Sequence, residues 1–223
     1  MGDRGFRGRA AWKAAVLLGL LGLAGPILSA SIAAAGAANA TVGVVPVDTA
    51  RVKRLLKSAA EAPVVDGALT SPAKCASDGK GVWFLPVFVA PGTSEVTCNV
   101  PGGAKVVLNM GGQLCIEDDQ TSRAQLPDVC KEAAADPSLQ TAIVDGNAVD
   151  EFAPTSTGTF DITLPDPNGF DAPAGKTASF YIGRNIMITG LSKGEHSIRL
   201  IYRLDAAAAD QFDVDTTYHV TVG

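Results

Sequence analysis

The sequence predicts an all-β protein: an antiparallel β-sandwich, jelly-roll or immunoglobulin-like, with one or two short helices. Three observations carry that expectation. Apolar and polar residues alternate strictly in the C-terminal third: Ile198, Leu200, Tyr202 and Leu204 share one face, Ser197, Arg199 and Arg203 the other. Tyr218, Val220 and Val222 alternate in the same way with Thr217, His219 and Thr221. Glycine and proline, 24 and 13 of 223 residues, punctuate the middle of the chain at short intervals. The third observation is four cysteines, an even number suited to two disulfides.

The N-terminus reads as an export signal. Arg4, Arg7, Arg9 and Lys13 precede an apolar run from Ala14 to Leu28, and small residues lead to Ala38-Asn39-Ala40. Residues 1–40 are therefore expected to be a signal peptide. The rival is a retained anchor, since Ala14 to Gly36 is long enough to span about 30 Å of hydrocarbon; dilution by Gly and Ala and the break at Pro26 favour cleavage. Cleavage would leave 14 basic and 22 acidic side chains, a formal charge of −8, and no stable membrane insertion. With a pI near 5.0 and no basic cluster beyond the first residues, there is no footprint for nucleic acid. A composition of 47% hydrophobic and 18% charged residues excludes a disordered, collagen-like or multi-span membrane chain.

Residues 41–71 are expected to form an N-terminal helix and linker, and 72–223 the disulfide-stapled sandwich. Thr49 to Ala60 places Val52, Leu55 and Leu56 at helical spacing. Pro63 to Asp78 reads as loop. Val82 to Leu85 and Val87 to Val89 are strand-forming runs split by Pro86. Glu95 to Val100 and Lys105 to Met110 follow as strands on either side of the Pro101-Gly102-Gly103 turn. Between Ser122 and Ala135, Leu126, Val129, Cys130 and Ala133 fall at helical intervals, with Pro127 in the first turn. Asp145-Gly146-Asn147 between two apolar runs predicts a hairpin, because these residues tolerate positive φ. Phe160, Ile162 and Leu164 alternate, and Phe180 to Thr189 is a further apolar strand.

Cys75, Cys98, Cys115 and Cys130 have no zinc-ligand spacing. Of three possible pairings, Cys75 with Cys98 and Cys115 with Cys130 close the most local loops.

Taken in order, Cys75, VWFL (Val82 to Leu85), TCNVPGGAKVVLNM (Thr97 to Met110), Cys115, Cys130, IVDGNAV (Ile143 to Val149), LPDPNGFDAPAG (Leu164 to Gly175), LSKGEHSI (Leu191 to Ile198) and TTYHVTV (Thr216 to Val222) resemble a family of small secreted bacterial β-rich proteins of unassigned activity. Its members are marked by W-F-L-A-G-T, C-T-V-P-A-G-K, V-D-G, P-G-x-H-x-I and V-T-Y-x-L-T-V segments. The resemblance implies a secreted β-rich domain and carries over no catalytic residues. Pro86-Val87-Phe88 replaces the glycine-containing turn after W-F-L, and Val106-Val107-Leu108 an aromatic pair.

Chemical motifs are few. No G-x-S-x-G elbow or phosphate-binding glycine loop is present. His196 and His219 are expected on polar strand faces, where pairing of the C-terminal strands would make them neighbours. Asp166, Asn168 and Asp171 alternate oxygen donors around a glycine, a pattern that suits a hard cation such as Ca2+; the same residues are ordinary turn formers. Glu117-Asp118-Asp119 and Asp210, Asp213 and Asp215 are further acidic groups. Trp83, Tyr202 and Tyr218 read as core.

These features predict a secreted, non-catalytic module that binds an extracellular protein or envelope component through the loops Gly111 to Gln120 and Pro165 to Gly175. The alternative is a secreted hydrolase in which Asp166 or Asp171 converges with Glu117, Asp118 or Asp213, with Ca2+ in support.

Overall fold

The structure, a computed structural model, describes residues 42–62, 75–87, 92–134, 139–149, 152–168, 170, 172–204 and 212–223. The expected signal peptide, most of the Pro63 to Asp78 loop, Phe88, Val89, Asp171 and Asp210 lie outside the described residues. The described residues form twelve strands and two helices. One sheet has the order β1 (Gly43–Pro46), β10 (Gly175–Thr189), β5 (Lys105–Ile116), β3 (Val82–Phe84), β2 (Ala76–Ser77). Two short strands, β8 (Thr155–Ser156) and β9 (Phe160–Leu164), also pair with β10. The second sheet has the order β4 (Gly92–Val100), β12 (Phe212–Val222), β11 (Gly194–Leu204), β6 (Leu139–Val144), β7 (Asn147–Ala148). The helices are α1 (Thr49–Ala60) and α2 (Leu126–Ala133).

The all-β sandwich is as the alternation predicts. Val106, Leu108, Met110, Ile186 and Ile188 of the first sheet pack against Val100, Ala142, Val144, Ile198, Leu200, Tyr218 and Val220 of the second, all buried. Each buried aliphatic side chain contributes about 1.5–3 kcal/mol relative to exposure. Tyr218 brings a polar atom into this layer, and its hydroxyl donates to the Pro86 carbonyl at 3.0 Å. Burial pushes its pKa far up, so the hydroxyl stays protonated as a donor.

Two pairings depart from the antiparallel expectation: β3 with β5 and β4 with β12 are parallel. The reason is the path of the chain. The turn at Pro101-Gly102-Gly103 carries it from β4 in the second sheet to β5 in the first, where a hairpin would have kept both in one sheet. With β4 taken up by the other sheet, β3 and β5 run the same way when they meet.

The N-terminal segment is not set apart from the sandwich at residue 71. β1 pairs with β10, and Val52, Leu55, Leu56 and Ala59 of α1 cover Val107 and Tyr181 on the outer face of the first sheet. Asp48 caps α1, its carboxylate accepting from the Arg51 N–H at 3.0 Å. Asp48→Ala is expected to lower stability by about 1 kcal/mol, read as a drop in the urea midpoint at unchanged slope.

The first sheet outreaches the second. On the inward face of β10, Ile186 and Ile188 are covered by the second sheet, whereas Ala178 and Phe180 are covered by Leu126 and Cys130 of α2. Between these coverings β5 carries one extra residue opposite Arg184 and Asn185, a β-bulge.

Candidate functional site

Covalent chemistry fixes the frame first. Cys75 is disulfide-bonded to Cys98 and Cys115 to Cys130, with Cα separations of 5.6 and 5.7 Å. The two bridges do different work. Cys75 precedes β2, the edge of one sheet, and Cys98 lies in β4, the edge of the other, so this bridge joins the two layers at their shared border. Cys115–Cys130 pins α2 onto β5. Disulfides persist in oxidising compartments, and no helix among the described residues is long and apolar enough to cross a membrane.

The two loops proposed from sequence meet at one end of the first sheet. Gly111 to Ile116 is strand rather than loop, because β5 continues through the bulge; the loop proper starts at Glu117. Glu117 N–H donates to the Ala178 carbonyl at 2.8 Å, and Thr177 Oγ1 to the Glu117 carbonyl at 3.1 Å. Both loops are closed by their own side chains. Asp118 Oδ1 accepts from the N–H groups of Gln120 and Thr121 at 2.8 and 2.7 Å, and Glu117 Oε1 from Arg123 N–H at 3.0 Å. Asn168 Nδ2 donates to the carbonyls of Pro165 and Ala172, while its Oδ1 accepts from the N–H groups of Phe170 and Ala172. Asn168 is buried, and the oxygen offered to a cation by the sequence faces backbone donors. Asp166 is exposed, and Asp171 lies outside the described residues. Asp161 ties this end together: hydrogen bonds from Lys176 and Arg123, at 3.0 and 2.7 Å, hold its carboxyl below the usual range.

The remaining described acids sit elsewhere. Asp213 and Asp215 lie on the outer face of the second sheet and pair with Arg203 and Arg199. Among the described residues, no three His, Cys, Asp or Glu side chains are grouped to hold a metal ion.

His196 and His219 are not neighbours, and the placement of His196 on a polar face is corrected. It lies opposite Val220 with the parity of Ile198, on the inward face at the end of β11, and its side chain is 9% exposed. A polar residue is tolerated there because both ring nitrogens find acceptors: Nδ1 bonds Asp145 Oδ2 at 2.7 Å, and Nε2 meets the Ser192 carbonyl at 2.9 Å. Asp145 reaches it from the two-residue hairpin turn, where its φ of 48° is the positive φ expected from the Asp-Gly pair. The Ser192 hydroxyl is farther from Nε2, at 3.5 Å. Asp, His and Ser thus lie side by side, but with two acceptors facing the ring the imidazole is a double donor, which suits a structural clamp rather than a base. His219 is on the outer face, 3.5 Å from Glu95.

Burial of His196 pulls its pKa down, but the Asp145 hydrogen bond, the Ser192 carbonyl and the charge of Asp145 together outweigh it, and the net shift is upward. The cation is therefore favoured by folding. Its stabilisation is complete below the unfolded value of about 6.5 and is lost as pH rises through the higher folded value. Urea midpoints are expected to fall between pH 6 and pH 8.5, and His196→Gln to flatten that fall.

Sequence reasoning missed a buried polar knot beside the bulge. Asn109 Nδ2 donates to the Tyr181 hydroxyl at 2.9 Å and to Asn185 Oδ1 at 2.8 Å, and the Tyr181 hydroxyl donates to the Gly111 carbonyl at 3.0 Å. Burial pushes the Tyr181 pKa up to about 12. The available signal was an asparagine in each of two apolar strands, VVLNM and RNIMIT. On the inward face beside it, Arg184 bonds the Phe152 carbonyl and the Gln140 side chain.

No family model matches the chain, and no curated protein does. Among solved structures, one titled "Solution Structure of Amebosin" is 19% identical over 60% of this chain and all of that one, with a TM-score of 0.20. That likeness supports no inference about fold or function.

Proposed function

We propose that the chain is a secreted, non-catalytic module that binds an extracellular protein or envelope component through the loop end built by residues 117–125 and 165–174. One observation carries the reading: internal hydrogen bonds close both loops at their described residues, and the first loop runs between the bridged Cys115 and Cys130, so little ordering entropy is lost when a partner docks. The disulfides also support an exported location. The resemblance to secreted bacterial β-rich proteins agrees with it.

A photo-crosslinking residue placed at Asp119 or Pro173 in the full chain, on intact producing cells, tests this. Discrete crosslinked species are expected at both positions, absent when the same residue replaces Ser197 on the outer face of the second sheet. Asn168→Ala, which removes the four bonds that shape the second loop, should abolish the Pro173 crosslink. Equal labelling at Ser197, or a chain retained in the cytoplasm with four free thiols, would overturn the proposal.

A further inference from the structure

One arginine differs from the rest. Six arginines lie among the described residues, and five of them form ion pairs with aspartates. Arg184 is held by neutral acceptors instead: Nε donates to the Phe152 carbonyl at 2.9 Å, and Nη1 donates to the Gln140 amide oxygen. Gln140 is itself fixed, because its Nε2 donates to the Met110 carbonyl at 2.8 Å. The guanidinium is thus held in one orientation with no carboxylate partner among the described residues. One Nη1 hydrogen and both Nη2 hydrogens have no partner among the described residues. One N–H from each terminal nitrogen makes the parallel fork that a carboxylate accepts with its two oxygens.

The surroundings are built from two facing cross-strand pairs. Arg184 lies opposite Gly111 in the first sheet, and Tyr202 opposite Gln140 in the second. A Cβ on Gly111 would come within 2.5 Å of the Tyr202 ring, so glycine is what lets the half-buried ring lie against the first sheet. This is the seam where the second sheet stops covering β10 and α2 takes over. A half-buried cation here is stabilised when a charged acceptor meets it, since partial desolvation strengthens the attraction. An acidic chain repels multivalent anions more than a single carboxylate.

We propose that this seam binds a carboxylate carried on an aromatic or apolar body, with the carboxylate on the Arg184 fork and the body against Tyr202. The site is separate from the loop end and stands independently of the function proposed there.

The test follows the Arg184 Nε–Hε signal of the full chain by NMR during titration with sodium benzoate, against acetate, inorganic phosphate and sodium chloride at matched ionic strength. A saturable shift with benzoate at millimolar concentration is expected, several-fold weaker with acetate and with phosphate. Arg184→Gln should remove benzoate binding, seen as loss of the shifts at Tyr202. Arg184→Lys, which keeps the charge but not the planar fork, should weaken it about tenfold, and Arg199→Gln should leave it unchanged. No saturable shift beyond the chloride control in the unmodified chain overturns the proposal. So does phosphate binding as tightly as benzoate, or unchanged binding in Arg184→Gln. If the Gln variant does not fold, the titration of the unmodified chain decides.

Discussion

Gly183→Ala, a change of one methyl group, is expected to destabilise the protein by about 3 kcal/mol, the upper end for overpacking a core. A Cβ at this position would lie 2.1 Å from the Tyr181 hydroxyl oxygen and 2.5 Å from the Gly111 carbonyl oxygen. The second of these atoms is backbone, which cannot turn aside. The first is the hydroxyl that joins Asn109, Asn185 and Gly111, so moving it breaks a buried network as well as the packing. Gly158→Ala separates the steric effect from backbone strain. Nothing lies within 4 Å of its Cβ, and only the φ of 64° opposes the substitution, at about 1 kcal/mol. Chemical denaturation of both variants tests the difference, and equal midpoints would contradict the role given to the Tyr181 knot.

The paired substitution Cys75→Ser and Cys98→Ser is expected to cost about 3 kcal/mol through the entropy regained by the unfolded chain. Its local signature distinguishes it from loss of the other bridge. Without Cys75–Cys98 no covalent link ties the second edge of the first sheet, which ends in the short strands β2 and β3, to the other layer. Hydrogen exchange should then accelerate first at Ala76–Ser77 and Val82–Phe84, while α2 keeps its protection. Removing Cys115–Cys130 should reverse the pattern. Uniform acceleration in both variants would show that neither bridge acts locally.

How much was legible in the sequence depended on the range of the interaction. The helix Thr49–Ala60, the Asp145-Gly146 turn and the alternation of β11 and β12 are set within a few residues, and each was read correctly. The parallel pairings were not legible, because strand direction depends on which sheet takes up the intervening segment. His196 shows another limit. Its parity with Ile198 was visible, but its polarity suggested the outer face; only the Asp145 and Ser192 acceptors, brought in by two separate turns, make the inward position stable. Arg184 and Asn185 sit in an apolar run and read as part of a strand. Their roles arise from a bulge that one extra residue on β5 creates, and no local pattern announces it.

The parallel pairing of β4 with β12 bears on the order in which the molecule assembles. β12 lies between β4 and β11, and its register joins Gly92–Val100 to Val214–Val222, segments more than a hundred residues apart. Until residues 212–222 have been synthesised, β4 and β11 have no strand between them and the central layer stays open. Such non-local topologies fold in roughly milliseconds to seconds rather than microseconds. Until β12 docks, β4, and with it Cys98, therefore has no partner strand in its sheet.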